Sequence, residues 1–131
     1  MPPYGLTYLE CFEHFARFMY AVQVLFMPEL WLLQNTVVAP TPTAIWLCKL
    51  CGILLLCIKG HLVVVQTKSP KNKPYSWLVA SLAWGACAAL SYTNEPIFKK
   101  PEFYMNVGLQ SFFAVAFGAT YLLSGGKVKG R

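Results

Sequence analysis

Residues 44–66 read AIWLCKLCGILLLCIKGHLVVVQ, and this stretch decides the fold class. As an α-helix it rises about 1.5 Å per residue, which is enough to cross a hydrocarbon core of about 30 Å. It carries Lys49 and Lys59, each of which costs up to about 3 kcal/mol at the centre of a membrane. Both lie away from the centre, so we expect their side chains to reach the polar interface. We therefore predict that this stretch is a membrane-spanning helix.

Three further apolar runs repeat this pattern along the chain. They cover residues 12–34, 75–92 and 104–124, and each has about the length that a spanning helix needs. Pro28 interrupts the first of them and predicts a kink there. The four runs predict an all-α integral membrane protein, a single membrane domain over residues 1–131. Its transmembrane helices, about four in number, would form two antiparallel hairpins.

The overall composition agrees with a membrane protein. Hydrophobic residues make up 56% of the chain and charged residues 12%, against roughly 45–50% and 25% in soluble domains. The net charge is +6, but the basic residues fall between the apolar runs and do not form a stripe among exposed aromatic residues. We therefore expect membrane lipids, and no nucleic acid, as partners.

The basic residues also predict an orientation in the membrane. Four spans place both termini, the basic loop 67–74 and the basic tail 125–131 on one side. That side then carries seven lysines and arginines, counting Arg17 near the start of the first run, whereas the other side carries only Lys99 and Lys100. This asymmetry is typical of the side that stays in the cytosol or the mitochondrial matrix.

Two charged residues of the first hairpin stand out as a candidate site. Glu29 and Lys49 lie at similar distances from the turn that joins the first two runs, so antiparallel helices would bring them to the same depth. We predict an ion pair between them inside the membrane. The alternatives are that they bind another subunit, or that they form part of a proton or ion relay.

Four polar residues form a candidate cofactor site. His14 and His61 fall at matched depth in the first hairpin, and two such histidines can bind a haem iron axially. Asn106 and Gln110 lie one turn apart on the fourth run, where they could contact a quinone or a lipid headgroup. Haem, chlorophyll or quinone binding is the alternative here, and hydrogen bonding between helices is the favoured interpretation.

Small residues at about four-residue spacing predict two packing faces in the second hairpin. Such residues let helix backbones approach closely in a membrane. They are Ser81, Gly85 and Ala89 on the third run, and Gly108, Ser111, Ala114 and Gly118 on the fourth.

The sequence offers no set of catalytic or metal-binding residues. Cys48 and Cys51 have the CxxC spacing, but no second pair completes a tetrahedral zinc site, so we expect no metal. The chain contains no aspartate and no motif for nucleotide or phosphate binding. We therefore expect that the protein is not an enzyme and requires no cofactor.

These features favour a non-catalytic accessory subunit that packs against lipids and other integral membrane subunits. A respiratory-chain or ATP-synthase type of complex in the mitochondrial inner membrane is the preferred setting. The alternatives are a haem-, chlorophyll- or quinone-binding anchor, a small transporter, and an adaptor of the endoplasmic reticulum. The last is suggested by Lys127 and Lys129, which resemble a dilysine retention signal.

Overall fold

The computed structural model describes residues 6–125, without the side chain of Pro70. As predicted, the regular structure of these residues is all helical, with one isolated β-bridge between Thr36 and Phe98. The helices are α1 (Tyr8–Phe26), α2 (Pro28–Asn35), α3 (Pro42–Lys68), α4 (Lys73–Thr93) and α5 (Lys100–Leu123), with 3-10 turns at Pro70–Asn72 and Glu95–Ile97. The predicted basic tail, including Lys127 and Lys129, lies outside the described residues.

A capping box and several prolines define the helix ends. Glu10 N–H donates to Thr7 Oγ1 at 3.2 Å and Thr7 N–H donates to Glu10 Oε2 at 2.6 Å, which starts α1. Met27 leaves the helical conformation, with φ −131° and ψ 50°, and Pro28 begins α2. The predicted span 12–34 is therefore two helices instead of one kinked helix. A proline also stands in the first turn of α3, α4 and α5, where its missing N–H removes no helical bond.

Two helices, α3 and α5, are long and apolar enough to cross a membrane. Only 11% of the most apolar segment of each is buried within the protein, unlike the core helix of a soluble domain. The four predicted spans are thus supported at 44–66 and 104–124 only. α1 carries Glu10, Glu13 and Arg17 in its first half, and α4 contains serines, tyrosines and tryptophans that lower its mean hydropathy.

The helices form two hairpins whose connectors meet at one end of the molecule. α1 packs on α3, and α4 packs on α5 over the most extensive contact in the described chain. At the α2 end, Val37 N–H donates to the Ile97 carbonyl at 2.8 Å, and Lys99 N–H donates to the Asn35 carbonyl at 3.1 Å. The Lys99 ammonium also donates to the carbonyl of Leu33, near the C-terminus of α2, where a cation is favourable.

A buried apolar cluster lies between α4 and α5, with α1 against it. Its buried members are Trp77, Ala80, Trp84, Phe113 and Phe117. The rings of Trp84 and Phe113 stack at a centroid distance of 5.0 Å. This cluster fixes the first half of α4 next to α1, where the charged residues of α1 are found.

Small residues allow both hairpins to close tightly. In the second hairpin Ser81 Oγ donates to the Ala114 carbonyl at 2.7 Å, and a Cβ on Gly118 would lie 3.0 Å from that Oγ. A Cβ on Gly85 would lie 4.0 Å from Ala114 Cβ, so these four predicted residues meet along one seam. A Cβ on Gly108 would meet nothing within 4 Å, and Ala89 is exposed. Ser111 is half-buried.

We expect Gly118→Ala to be less stable than Gly108→Ala by about 1 kcal/mol or more, because only the first methyl group meets a neighbouring helix. Both substitutions gain the same helix propensity, so their difference isolates the contact with Ser81. Reversible unfolding in mixed micelles of sodium dodecyl sulfate measures it. Equal stabilities of the two variants would show that the seam is loose at Gly118.

Candidate functional site: a buried charged cluster

Five charged side chains are enclosed between the two hairpins and form what we call the charged cluster. They are Glu10, Glu13 and Arg17 of α1, Lys59 of α3 and Lys73 of α4. Glu10 is 0% exposed and Glu13 is 1% exposed. Lys59, which we expected to reach the interface, is only 7% exposed. Its ammonium forms an ion pair inside the protein with a carboxylate of α1.

Glu13 is the centre of this cluster. Its Oε2 contacts the ammonium of Lys59 and lies 3.3 Å from Nδ1 of His14. Its Oε1 accepts a hydrogen bond from Trp84 Nε1 at 3.0 Å. Arg17 Nε lies 3.1 Å from the same oxygen, close enough for an ion pair, although its N–H is not aligned as a hydrogen bond requires. One carboxylate thus joins α1, α3 and α4.

Glu10 makes a second connection between α1 and α4. Its Oε1 accepts from Trp77 Nε1 at 2.7 Å, and its Oε2 lies 3.2 Å from Lys73 Nζ. The same carboxylate completes the capping box with Thr7. Charge-assisted hydrogen bonds of this kind are stronger than neutral ones, so the start of α1 is fixed against the start of α4.

A chain of hydrogen bonds leads from His14 to α4. His14 Nε2 lies 2.6 Å from Gln66 Oε1, Gln66 Nε2 donates to Ser76 Oγ at 3.2 Å, and Ser76 donates to the Lys73 carbonyl at 2.7 Å. An amide oxygen can only accept, so Nε2 of His14 carries the proton. Nδ1 then faces the Lys59 ammonium at 3.4 Å. Both ring nitrogens of His14 are therefore occupied by protein groups.

The local sequence explains why these side chains share one face. Glu10, Glu13, His14 and Arg17 follow the three- and four-residue spacing that places side chains on one side of a helix. In a membrane-embedded helix such a polar stripe is expected to point inward. This spacing was a usable signal in the sequence, and our prediction overlooked it in favour of Glu29 and Lys49.

The structure does not bring Glu29 and Lys49 together. Both are exposed, and within residues 6–125 neither forms an ion pair. Glu29 lies on α2, a separate short helix that begins after the break at Met27, and the contact with α3 is made mainly by α1. An ion pair between the first two predicted runs does form, but its partners are Glu13 and Lys59.

The four candidate cofactor residues occupy separate places. His61 is exposed, whereas His14 is half-buried and bonded as described above. Asn106 and Gln110 are half-buried on α5, and the side-chain oxygen of Gln110 is buried with no hydrogen-bond partner in the described chain. Cys48 and Cys51 are free thiols, and the described residues contain no group of three or more His, Cys, Asp or Glu arranged to hold a metal.

The cluster can hold helices together and can present a positive charge. Glu10 pairs with Lys73, whereas Glu13 lies close to both Arg17 and Lys59. The guanidinium of Arg17 lies over the ring of Trp84, with Cζ 3.8 Å from the ring centroid, in a cation–π contact. Comparison with protein-family models, curated proteins and solved structures found no match to this chain.

Proposed function

We propose that this protein is a non-catalytic subunit of a larger membrane assembly, and that its two hairpins cross the bilayer four times. The observation that carries this proposal is a distribution of polar and apolar side chains opposite to that of a soluble protein. The charged residues of α1 are enclosed, whereas large apolar side chains cover the outside of α3 and α5. A soluble protein avoids exposed apolar surfaces of this extent.

The inward direction of the polar stripe supports membrane crossing by α1. An intramembrane charge is tolerated where it faces the bundle and meets a partner, and Glu10, Glu13 and Arg17 do both. The outer face of α1 carries Phe15 and Phe18, both exposed. Lipid would therefore meet aromatic rings and not the carboxylates.

The antiparallel arrangement supports crossing by α4 as well. α4 packs along α5 through the small-residue seam, so the two helices share one depth. Leu82 and Leu90 are exposed on α4, each by more than 60%. Four crossings would put the 67–74 loop and both termini on the more basic side, in the matrix or the cytosol.

The bonding within the cluster supports a structural role. The carboxylate oxygens of Glu10 and Glu13 already accept from, or pair with, groups on α1, α3 and α4. Polar contacts of this kind hold helices together in a membrane, where apolar side chains gain little by leaving lipid. The rigid bundle then offers its apolar outer faces to lipids and to other integral membrane subunits.

Extraction of native membranes with a mild detergent, followed by native sizing and mass spectrometry, tests the subunit proposal. We expect the chain to migrate with other membrane subunits at a mass far above its own 14.7 kDa. The same extract in a denaturing detergent provides the control and should release the single chain. Migration as a single chain after mild extraction would contradict the proposal. Fractionation of the same cells tests our predicted location, the mitochondrial inner membrane.

A further inference from the structure

A groove separates α3 from α4 on the side of the molecule where the charged cluster lies. Its volume is about 470 Å³. The walls are mostly apolar and include Leu62 and Val65 of α3 and Val79 and Ala83 of α4. Glu13 and Arg17 of α1 form its inner wall. The groove is therefore an apolar channel with charged groups at its base.

The Arg17 guanidinium at this base lacks hydrogen-bond acceptors. The residue is only 7% exposed, and its contacts within residues 6–125 are the ion pair with Glu13 and the ring of Trp84. No oxygen of these residues accepts a hydrogen bond from the guanidinium. Its Nε is buried without a hydrogen-bond partner in these residues, which is unfavourable, and the other two guanidinium nitrogens carry four further N–H donors.

Among the residues that the structure describes, the charge at this base is also uncompensated. Glu10 faces Lys73, but Glu13 alone faces both Arg17 and Lys59. The base of the groove thus has an excess positive charge and free N–H donors. An acid group would satisfy both, since a planar guanidinium matches a carboxylate with two parallel hydrogen bonds.

The outer edge of the groove indicates where such an acid would come from. Ile58, His61 and Tyr75 line the groove and are exposed on the outer surface of α3 and α4. If α3 and α4 cross a membrane, this opening faces the lipid acyl chains. It lies in the leaflet on the side of the 67–74 loop. The volume lies in the lower part of the usual range of roughly 300–1,000 Å³ for sites that hold one small ligand. It has room for one alkyl chain, not two.

We propose that the groove binds one fatty acid from the bilayer, with its carboxylate on Arg17 and its alkyl chain along Leu62, Val65 and Val79. The inference rests on the placement of the chain in a membrane. It is independent of whether the protein docks on other subunits.

Thermal unfolding of the full-length protein in a nonionic detergent tests this proposal, with oleate as the probe. Oleate should raise the unfolding temperature, and native mass spectrometry should show one bound molecule. Oleyl alcohol, which has the same chain without the acid, should give little or no increase. Sodium acetate, which has the acid without the chain, should give none. An equal increase with oleyl alcohol, or with acetate, would overturn the proposal.

A pair of variants on α4 locates the site. Ala83→Leu narrows the groove and leaves every charged residue in the chain, whereas Ala86→Leu adds the same group on an exposed part of α4 outside the groove. We expect Ala83→Leu to weaken oleate binding by about tenfold or more, because the added group occupies the space of the alkyl chain. Ala86→Leu should bind as the unmodified protein does. Equal binding by the two variants would place oleate elsewhere and overturn the proposal. The oleate and oleyl alcohol comparison on the unmodified protein stays decisive even if Ala83→Leu does not fold.

Discussion

Glu13→Gln lowers the free energy of unfolding by about 3–5 kcal/mol, the loss expected when one partner of a buried ion pair is removed. The substitution keeps the shape of the side chain but leaves Arg17 and Lys59 facing each other without an anion. Two buried cations repel each other. Unfolding in mixed micelles, followed by tryptophan fluorescence, measures the loss, and Trp84 bonds directly to Glu13.

Glu29→Gln is the matched control for this experiment. Glu29 is exposed on α2 and has no ion pair in the described residues, so we expect a change within about 0.5 kcal/mol. The double variant Glu13→Gln, Lys59→Met removes one of the two unpaired cations and should recover part of the lost stability. If Glu13→Gln were as harmless as Glu29→Gln, the cluster would not hold the hairpins together.

Gly52→Leu separates α1 from α3 and lowers the free energy of unfolding by about 3 kcal/mol, near the upper end of the usual range for overpacking. Even a Cβ at this position would lie 2.9 Å from Leu25 Cβ and 3.0 Å from the carbonyl oxygen of Ala21. One of these neighbours is backbone, so it cannot turn away as a flexible side chain can. The two helices must move apart, which also draws Lys59 away from Glu13.

Gly60→Leu provides the control on the same helix. A Cβ on Gly60 would meet nothing within 4 Å, so the added side chain would point into open space. We expect this variant to be as stable as the unmodified protein or more so, because leucine favours the helix over glycine by up to about 1 kcal/mol. The same micelle titration compares the two variants. Equal effects at Gly52 and Gly60 would show that α1 and α3 do not approach as closely as the structure indicates.

Several parts of the fold could be predicted from local sequence. The apolar runs at 44–66 and 104–124 are long and continuous, so they identify α3 and α5 without any knowledge of tertiary contacts. Prolines in the first helical turn set where α3, α4 and α5 begin. The four-residue spacing of Ser81 and Gly85 marks a face of α4 that does meet α5.

The partners of the charged residues on α1 could not be predicted from local sequence, because they are far away in the chain. Glu13 meets Lys59 and Trp84 across separations of 46 and 71 residues. Our prediction counted residues from the turn and took the first run as one helix, kinked at Pro28, that packs along the second, so it selected Glu29 and Lys49. The structure instead packs α1 against α3, with Glu29 on the separate helix α2. Gly52 was also missed, since a single glycine gives no periodic signal.

Maleimide labelling of the native cysteines tests the membrane arrangement most directly. Cys51 on α3 and Cys87 on α4 are exposed on the surface of the protein, so their thiols would react readily if water surrounded these helices. Variants that keep only Cys51 or only Cys87 are treated with a membrane-impermeant maleimide in unsealed membrane fragments, so that the reagent reaches both faces of the intact bilayer. A cysteine introduced as Asn72→Cys, in the exposed turn before α4, serves as the accessible control. We predict that Asn72→Cys is labelled and that Cys51 and Cys87 are labelled only after denaturation. Labelling of Cys87 in these fragments before denaturation would contradict the crossing by α4, and labelling of both native thiols would contradict the membrane arrangement as a whole.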